Sequence, residues 1–407
     1  MLFFTLLSTF FLCSASAKGP ADFSAAGTGV VADIPVYQWL SEGYKTFRIP
    51  GIVQTANGTL IAAVEGRVAT GRPAVGNASL CYGVLASKFD SHCVDKDIVV
   101  KTSDDFGDTW AAAVPLTESN ATHFYSNPNM VVDSVTDKVW MVFYQCVVSE
   151  VYGHCTPMMT SSGDSGHSWA AAKVVEAVTA LHIGGLGGGI QLRYQQGSAQ
   201  NRLILPHDGN GVIYSDDRGE TWKVGNKVEG AGGENQAAEL LDGSVKMTLR
   251  HGGYSPTQCT STDGGLTFAD CHVQTQLLSD DCQTSLLAVP HPANFTHHGL
   301  HETHTRPSLH RGEFSRTILI SAHPNGQNRV TPLGRQNCTI SVSHDDGETW
   351  HDTIQVNPGP SAYTALASIR YKNNMRAIAC LYERSKDGPP VDFDTVAMAV
   401  INVDSLF

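Results

Sequence analysis

Charge is scarce in this chain. Only 16% of its 407 residues are Asp, Glu, Lys or Arg, and acids outnumber bases 39 to 27 for a formal net charge of −12. Without a basic excess there is no stripe to neutralise phosphates, which excludes a nucleic-acid binder. An acidic ligand would meet a repelling field and would need a local pocket of arginine. Long apolar runs are absent after the first seventeen residues, so no membrane span is expected in the mature chain. No Pro-rich linker, low-complexity tract or charge run divides the sequence, and neither a GPI tail nor an ER-retention signal closes it. H-E-x-x-H is missing too. In the His-rich stretch HPANFTHHGLHETHTRPSLH, His301 and His304 stand only three apart, so an exposed connection is expected there rather than a zinc site.

What is present begins with MLFFTLLSTFFLCSASA, an apolar run ending in the small residues Ala15-Ser16-Ala17. It reads as a secretory signal peptide over residues 1–17, although its start carries no Lys or Arg. Cysteine usage agrees with export. Cys81 with Cys93, Cys146 with Cys155, and Cys259 with Cys271 are close enough to staple local loops, while Cys282, Cys338 and Cys380 leave one pairing open and one thiol free. Sequons at Asn57, Asn77, Asn120, Asn294 and Asn337 fit a secreted surface. The expected compartment is the secretory pathway, either extracellular or the lumen of a lysosome or vacuole; oligomeric state is left open.

Thirty-nine glycines and many Val, Thr, Ile and Tyr runs indicate strands joined by turns. One phrase recurs five times: SDDFGDTW from Ser103, SGDSGHSW from Ser162, SDDRGETW from Ser215, STDGGLTF from Ser261 and SHDDGETW from Ser343. Each follows a β-like run, its Asp and Gly suit a tight turn, and its aromatic can pack back onto it. Only one acid per phrase is invariant, which favours a folded turn over a calcium loop. Recurrence at roughly one blade per interval predicts an all-β fold, a single propeller domain over residues 18–407. The run GGLGGG, Gly184 to Gly189, lacks a βαβ context and is expected to form a tight β-turn rather than a dinucleotide loop.

FRIP, Phe47 to Pro50, precedes the first phrase, and with the five phrases it resembles the exo-α-sialidase (neuraminidase) family of the cellular and bacterial type, whose Asp boxes these are. The resemblance runs through FRIPGIV…NGTLIAAVEGR, NPNMVVD, GGGIQL, RLILP, ENQAAELLDGSVKMTLR and SAYTALASI, in family order. It implies a six-bladed β-propeller, retaining glycoside hydrolysis, no cofactor, and a sialylated glycoconjugate as substrate. It further implies that Arg48, Arg250 and Arg335 hold the sugar carboxylate, with Arg329 competing for the third place and Arg67 lining the pocket. Tyr363 matches the family nucleophile and Glu234 its base, with Glu239 ranked behind it. The acid/base is expected in the long loop after Arg67, at Asp90 first and Asp95 second, because Asp97 fits the aspartate opening the next strand.

Elementary chemistry agrees with that assignment. A sialic acid carries its carboxylate on the anomeric carbon, so a planar guanidinium fork suits it, and an attacking carboxylate would be repelled. A neutral phenol avoids the repulsion but needs a base. Sialic acid and its deaminated relative Kdn are both admissible sugars. Transfer or intramolecular release on the same scaffold, and glycan binding without catalysis, are the rival readings; loss of the Arg, Glu or Tyr positions would favour the last.

Overall fold

The computed structural model describes residues 29–68, 96–120, 122–147, 155–176, 186–207, 211–228, 232–292, 314–326, 335–385 and 393–406. The apolar leader, Cys81, Asp90, Cys93, Asp95, Arg329 and most of the His-rich stretch lie outside them. Regular structure among the described residues is strand, apart from three short 3-10 turns at Gly197–Ala199, Lys372–Asn374 and Val403–Leu406. No described helix is long and apolar enough to cross a membrane.

Hydrogen bonding groups the strands among the described residues into five sheets. The first is Tyr44–Gln54, Leu60–Val68, Lys96–Ser103 and Val114–Pro115. The second is His123–Val132, Val139–Val147, Cys155–Ser162 and Lys173–Val174, with Gly187–Gly188 added in parallel to His123–Val132. The third runs Ile190–Gln191, Leu203–His207, Gly211–Ser215, Lys223–Val224; the fourth runs Gly233–Glu239, Val245–Arg250, Thr257–Ser261, Ala269–Val273. The last has seven strands because His351–Tyr371, 21 residues long, serves two partners. Its first half pairs with Gln336–Ser343 and its second with Met375–Arg384. Val30–Gln38 completes this sheet by pairing antiparallel to Thr395–Asn402.

Sequence explains the layering. Strands inside the sheets are covered on both faces and read as unbroken apolar runs: Leu60-Ile61-Ala62-Ala63-Val64 and Val396-Ala397-Met398-Ala399-Val400-Ile401 are wholly buried. Outer strands such as Lys173–Val174 and Lys223–Val224 are exposed and only two residues long, which limits edge pairing. Apolar clusters join each group to the next. Ile61 and Val100 meet Met130 and Met141, Trp140 and Val142 meet Leu203 and Ile213, and Ile204 and Val212 meet Val245 and Met247. Leu240 then meets Leu286 and Trp350, Ile340 meets Ile378 and Ile401, and Leu381 and Met398 meet Ile52 and Leu60 of the first sheet. The packing therefore returns to its start.

The five repeated phrases form one turn. In each, the opening serine hydroxyl donates to the aspartate Oδ1 at 2.8 Å and accepts the glycine N–H at 2.7–2.9 Å. The same carboxylate accepts the backbone N–H and hydroxyl of the following Thr or Ser. The residue before the glycine is left-handed in every copy: Phe106, Ser165, Arg218, Gly264 and Asp346, with φ from 58° to 74°. These turns lie at the end of the sheets opposite Arg48 and Arg250: Leu60 pairs with Ser103 while Arg67 pairs with Lys96, seven positions or about 23 Å along the strand.

Three sequence expectations need comment. Cys146–Cys155 and Cys259–Cys271 are disulfides. Cys282, Cys338 and Cys380, of which two were expected to pair, are all buried thiols; Cys282 packs with Tyr363, away from the cluster that holds Cys338 and Cys380. Within the glycine run, Gly187–Gly188 is a strand and not a β-turn. The reason is close approach: a Cβ on Gly51 would come within 2.7 Å of the Gly187 carbonyl, and Gly187 itself has φ +84°.

Candidate functional site

Four strands arrive at the end opposite the repeated turns with a break in register. The shifts fall between Arg48 and Gly51, Ser126 and Asn129, Gly233 and Gln236, and Ser361 and Thr364. In three of them a non-glycine residue is left-handed: Ile49 at φ 58°, Asn127 at 54° and Glu234 at 48°. A bulge re-aims side chains that strict alternation would send elsewhere. Here the bulges bring together residues that lie up to 335 positions apart.

At the centre is Tyr363, 6% exposed. Its hydroxyl donates to Glu234 Oε1 at 2.7 Å. Arg250 Nη1 donates both to Glu234 Oε2 at 2.9 Å and to Tyr363 Oη at 3.2 Å. Two more guanidiniums flank the phenol ring, Arg48 with Cζ 5.3 Å from its centroid and Arg335 at 5.5 Å. Arg48 is held by a bidentate pair to Glu383, Nε to Oε1 at 3.0 Å and Nη2 to Oε2 at 2.9 Å. Glu383 also accepts the N–H groups of Ile49 and Tyr363. Arg335 Nη2 donates to the carbonyl of Asp281 at 2.6 Å, and Asp281 Oδ1 accepts from Arg250 Nε at 3.0 Å.

Electrostatics follow from this crowding. Burial, then the neighbouring Glu234 charge, push the Tyr363 phenol well above its ordinary range, against the opposing pull of Arg335 and Arg250. The resting hydroxyl is therefore neutral and already hydrogen-bonded to a carboxylate. Burial works against the charge of Arg250, but its acidic partners Glu234 and Asp281 outweigh it and hold the guanidinium protonated. Burial also lifts the Cys282 thiol beside the tyrosine to about 11. Three guanidiniums around one phenol can bind a carboxylate, and the Tyr–Glu pair can generate an oxygen nucleophile there.

Arg67 occupies a neighbouring buried cluster. It donates to Glu65 Oε2 through Nε at 3.2 Å and Nη2 at 2.9 Å, and Lys96 Nζ lies 3.4 Å from the same oxygen. Burial opposes the Glu65 charge, yet Lys96 and Arg67 overcome it and hold the carboxyl at about 2. Ser126 and the Asn127 N–H satisfy the other oxygen. Glu239 lies elsewhere, accepting three consecutive N–H groups from Arg193, Tyr194 and Gln195, which is a structural employment. Asp97 likewise binds the Tyr44 hydroxyl and the Ser119 N–H. Asp90 and Asp95 fall outside the described residues.

The structure thus brings together Arg48, Arg250, Arg335, Glu234 and Tyr363. Sequence reasoning missed Glu383 and Asp281. Glu383 left a signal, an acid at the end of the buried run Ala377–Tyr382; Asp281 left none, because an Asp-Asp pair in a polar stretch is usually solvated. No group of three or more His, Cys, Asp or Glu among the described residues is placed to hold a metal ion.

Comparison with known proteins adds to this geometry. A curated sialidase of Micromonospora viridifaciens is 26% identical over 359 residues, covering 81% of this chain but 49% of its own length, so the chain spans about half of that relative. Among solved structures, a Hadza microbial sialidase superposes with a TM-score of 0.66 at 22% identity, covering 89% of this chain and 67% of the other. A leech intramolecular trans-sialidase gives 0.66 at 16% identity, covering 92% and 71%. At such identities the structural likeness concerns the fold. The family model for the BNR repeat-like domain matches residues 91–373, most of the chain, and to that family the protein belongs.

Proposed function

We propose that the protein is a retaining exo-α-sialidase that releases terminal sialic acid, or a relative such as Kdn, from glycoconjugates. The observation that carries this reading is the contact of Tyr363 Oη with Glu234 Oε1 inside a ring of Arg48, Arg250 and Arg335. Similarity to sialidases supports it. The arginines hold the sugar carboxylate. Glu234 accepts the Tyr363 proton as the phenolic oxygen bonds to the anomeric carbon, and Arg250 steadies the charge developing on both. The bond to the leaving oxygen breaks as a loop aspartate, Asp90 or second Asp95, delivers its proton; the same residue then activates water that releases the sugar with retention. Arg67 lines the pocket beside them.

The architecture that fits is a six-bladed propeller, in which the long strand His351–Tyr371 supplies one edge to each of two blades and Val30–Gln38 closes the last. The recurring turns are its Asp boxes. Two disulfides fit an oxidising compartment, so we place the protein in the secretory pathway.

The test is hydrolysis of a fluorogenic sialoside and a fluorogenic Kdn glycoside by the wild type and by Tyr363→Phe, with product analysis. Free sugar released by the wild type alone supports the reading. An anhydro sugar as the sole product would move the protein to the intramolecular trans-sialidases, and a folded wild type inert on both sugars from acidic to neutral pH would defeat it.

A further inference from the structure

Between Tyr254 and Ser285 the chain makes a corner that the mechanism above does not use. Asp280 and Asp281 are both left-handed, at φ 47° and 51°. Two consecutive non-glycine residues in that region are uncommon, and Asp tolerates it better than most. Local bonds fasten the corner. The Cys282 N–H donates to the Ser279 carbonyl at 2.9 Å, and the Ser279 N–H donates to the Tyr254 carbonyl at 2.6 Å. Tyr254 lies four residues beyond Arg250, so the corner is tied to the loop that leaves the Arg250 strand.

Asp281 then faces both ways. Its side chain receives Arg250 Nε at 3.0 Å, and its main-chain carbonyl receives Arg335 Nη2 at 2.6 Å. One residue therefore sets the spacing of two guanidiniums, one at the end of the strand Val245–Arg250 and one just before the strand Gln336–Ser343 of a different sheet. With Nε on Asp281 and Nη1 on Glu234 and Tyr363, the Arg250 fork is fixed in its plane, and Nη2 is the corner left to meet a ligand. A fork held at two points loses little rotamer freedom when a carboxylate arrives. The Asp281 side chain is 55% exposed, so its carboxylate is placed by the backbone corner rather than by packing.

We infer that Asp281 is a positioning residue for the carboxylate-binding site, orienting Arg250 through its side chain and Arg335 through its carbonyl. This rests on the sialidase reading, which assigns those arginines to the sugar carboxylate. The two functions of Asp281 separate by substitution. Asp281→Asn keeps an acceptor and tolerates the left-handed backbone. Asp281→Gly keeps the backbone and its carbonyl but removes the acceptor for Arg250.

The experiment measures kcat and KM on the fluorogenic sialoside, melting temperature, and crystal structures of wild type and both variants. Asp281→Gly is expected to lose about 10- to 100-fold in kcat/KM, the range for one hydrogen bond to a charged group, at an unchanged melting temperature. Asp281→Asn is expected to stay within about threefold of wild type, a rescue that a purely charge-based role would not give, while the unchanged melting temperature of the Gly variant separates positioning from a merely structural role. In the Gly variant, Arg250 should leave Glu234 and Tyr363 while Arg335 stays on the carbonyl. The inference is overturned if Asp281→Gly keeps wild-type kcat/KM, or if Asn falls as far as Gly, or if Arg250 holds its place without the carboxylate. Should the wild type be inert on every sialoside, the hydrolase reading fails, and the position of Arg250 in the two structures still decides the inference.

Discussion

Five turns at one end of the molecule repeat a single arrangement, whereas the bulged strands at the other each do something different. In the turns, each buried serine and glycine and each solvent-facing aspartate finds the same partners, and three hydrogen bonds hold the carboxylate where solvent can also reach it. At the mouth, cations crowd together, a phenol is held neutral, and Ile49, a β-branched residue, is left-handed. Repetition serves stability and can be multiplied without cost to specificity. Strain concentrated in one place serves chemistry, and the rest of the fold must carry it.

The contrast can be broken at four points. The largest effect belongs to the mouth: Tyr363→Phe should lower kcat/KM by about a thousandfold or more with little change in melting temperature, since only the hydroxyl is lost. Ser343→Ala should reverse the signature. It strands the Gly347 N–H and removes one partner of Asp345, so the urea midpoint should fall by the equivalent of about 1–3 kcal/mol while activity per folded molecule is kept.

Acid should act on the two ends with opposite signs. Burial raises the Asp280 carboxyl to about 6 from its ordinary 3.8, so its contribution to stability is fully present below about pH 4 and is lost as pH rises through 6. Asp164 is held at about 2 by its hydrogen bonds to Ser168 and Ser162, so its contribution is present above about pH 4 and lost as pH falls through 2. Comparing Asp280→Asn with wild type by urea unfolding at pH 7 and pH 4.5 should show the wild type gaining about 1–2 kcal/mol relative to the variant on acidification. The smallest effect is Asp346→Gly. The fourth turn already carries Gly264 at this place, and Asp346 has φ 58°, so relief of the left-handed backbone should raise the urea midpoint by the equivalent of about 0.5–1 kcal/mol.

How far the sequence reveals each end follows from the same contrast. The turns were legible because a local motif closes on itself: Ser103, Asp105, Gly107 and Thr109 need nothing outside the phrase. The mouth was legible only where motifs named its residues, as for Arg48, Glu234, Arg250 and Tyr363, because no spacing rule brings position 48 to position 383. Asp281 acts through a backbone corner and an unremarkable Asp-Asp pair, and left no pattern to read. The thiols misled for a similar reason: spacing does not tell that Cys282 packs against Tyr363 while Cys338 and Cys380 share a separate cluster, all three as free thiols. For Gly187, composition revealed a need for freedom at that place, and only the approach of Gly51 shows why.

The pairing of Val30–Gln38 with Thr395–Asn402 has a consequence for biogenesis. Val30–Gln38 finds its neighbour only after all the residues that separate it from Thr395–Asn402 have been made, and Glu383, the clamp of Arg48, is made almost as late. Local hairpins can form early, whereas this pairing of distant segments must form late. The Arg48–Glu383 clamp at the mouth is therefore among the last contacts the growing chain can make.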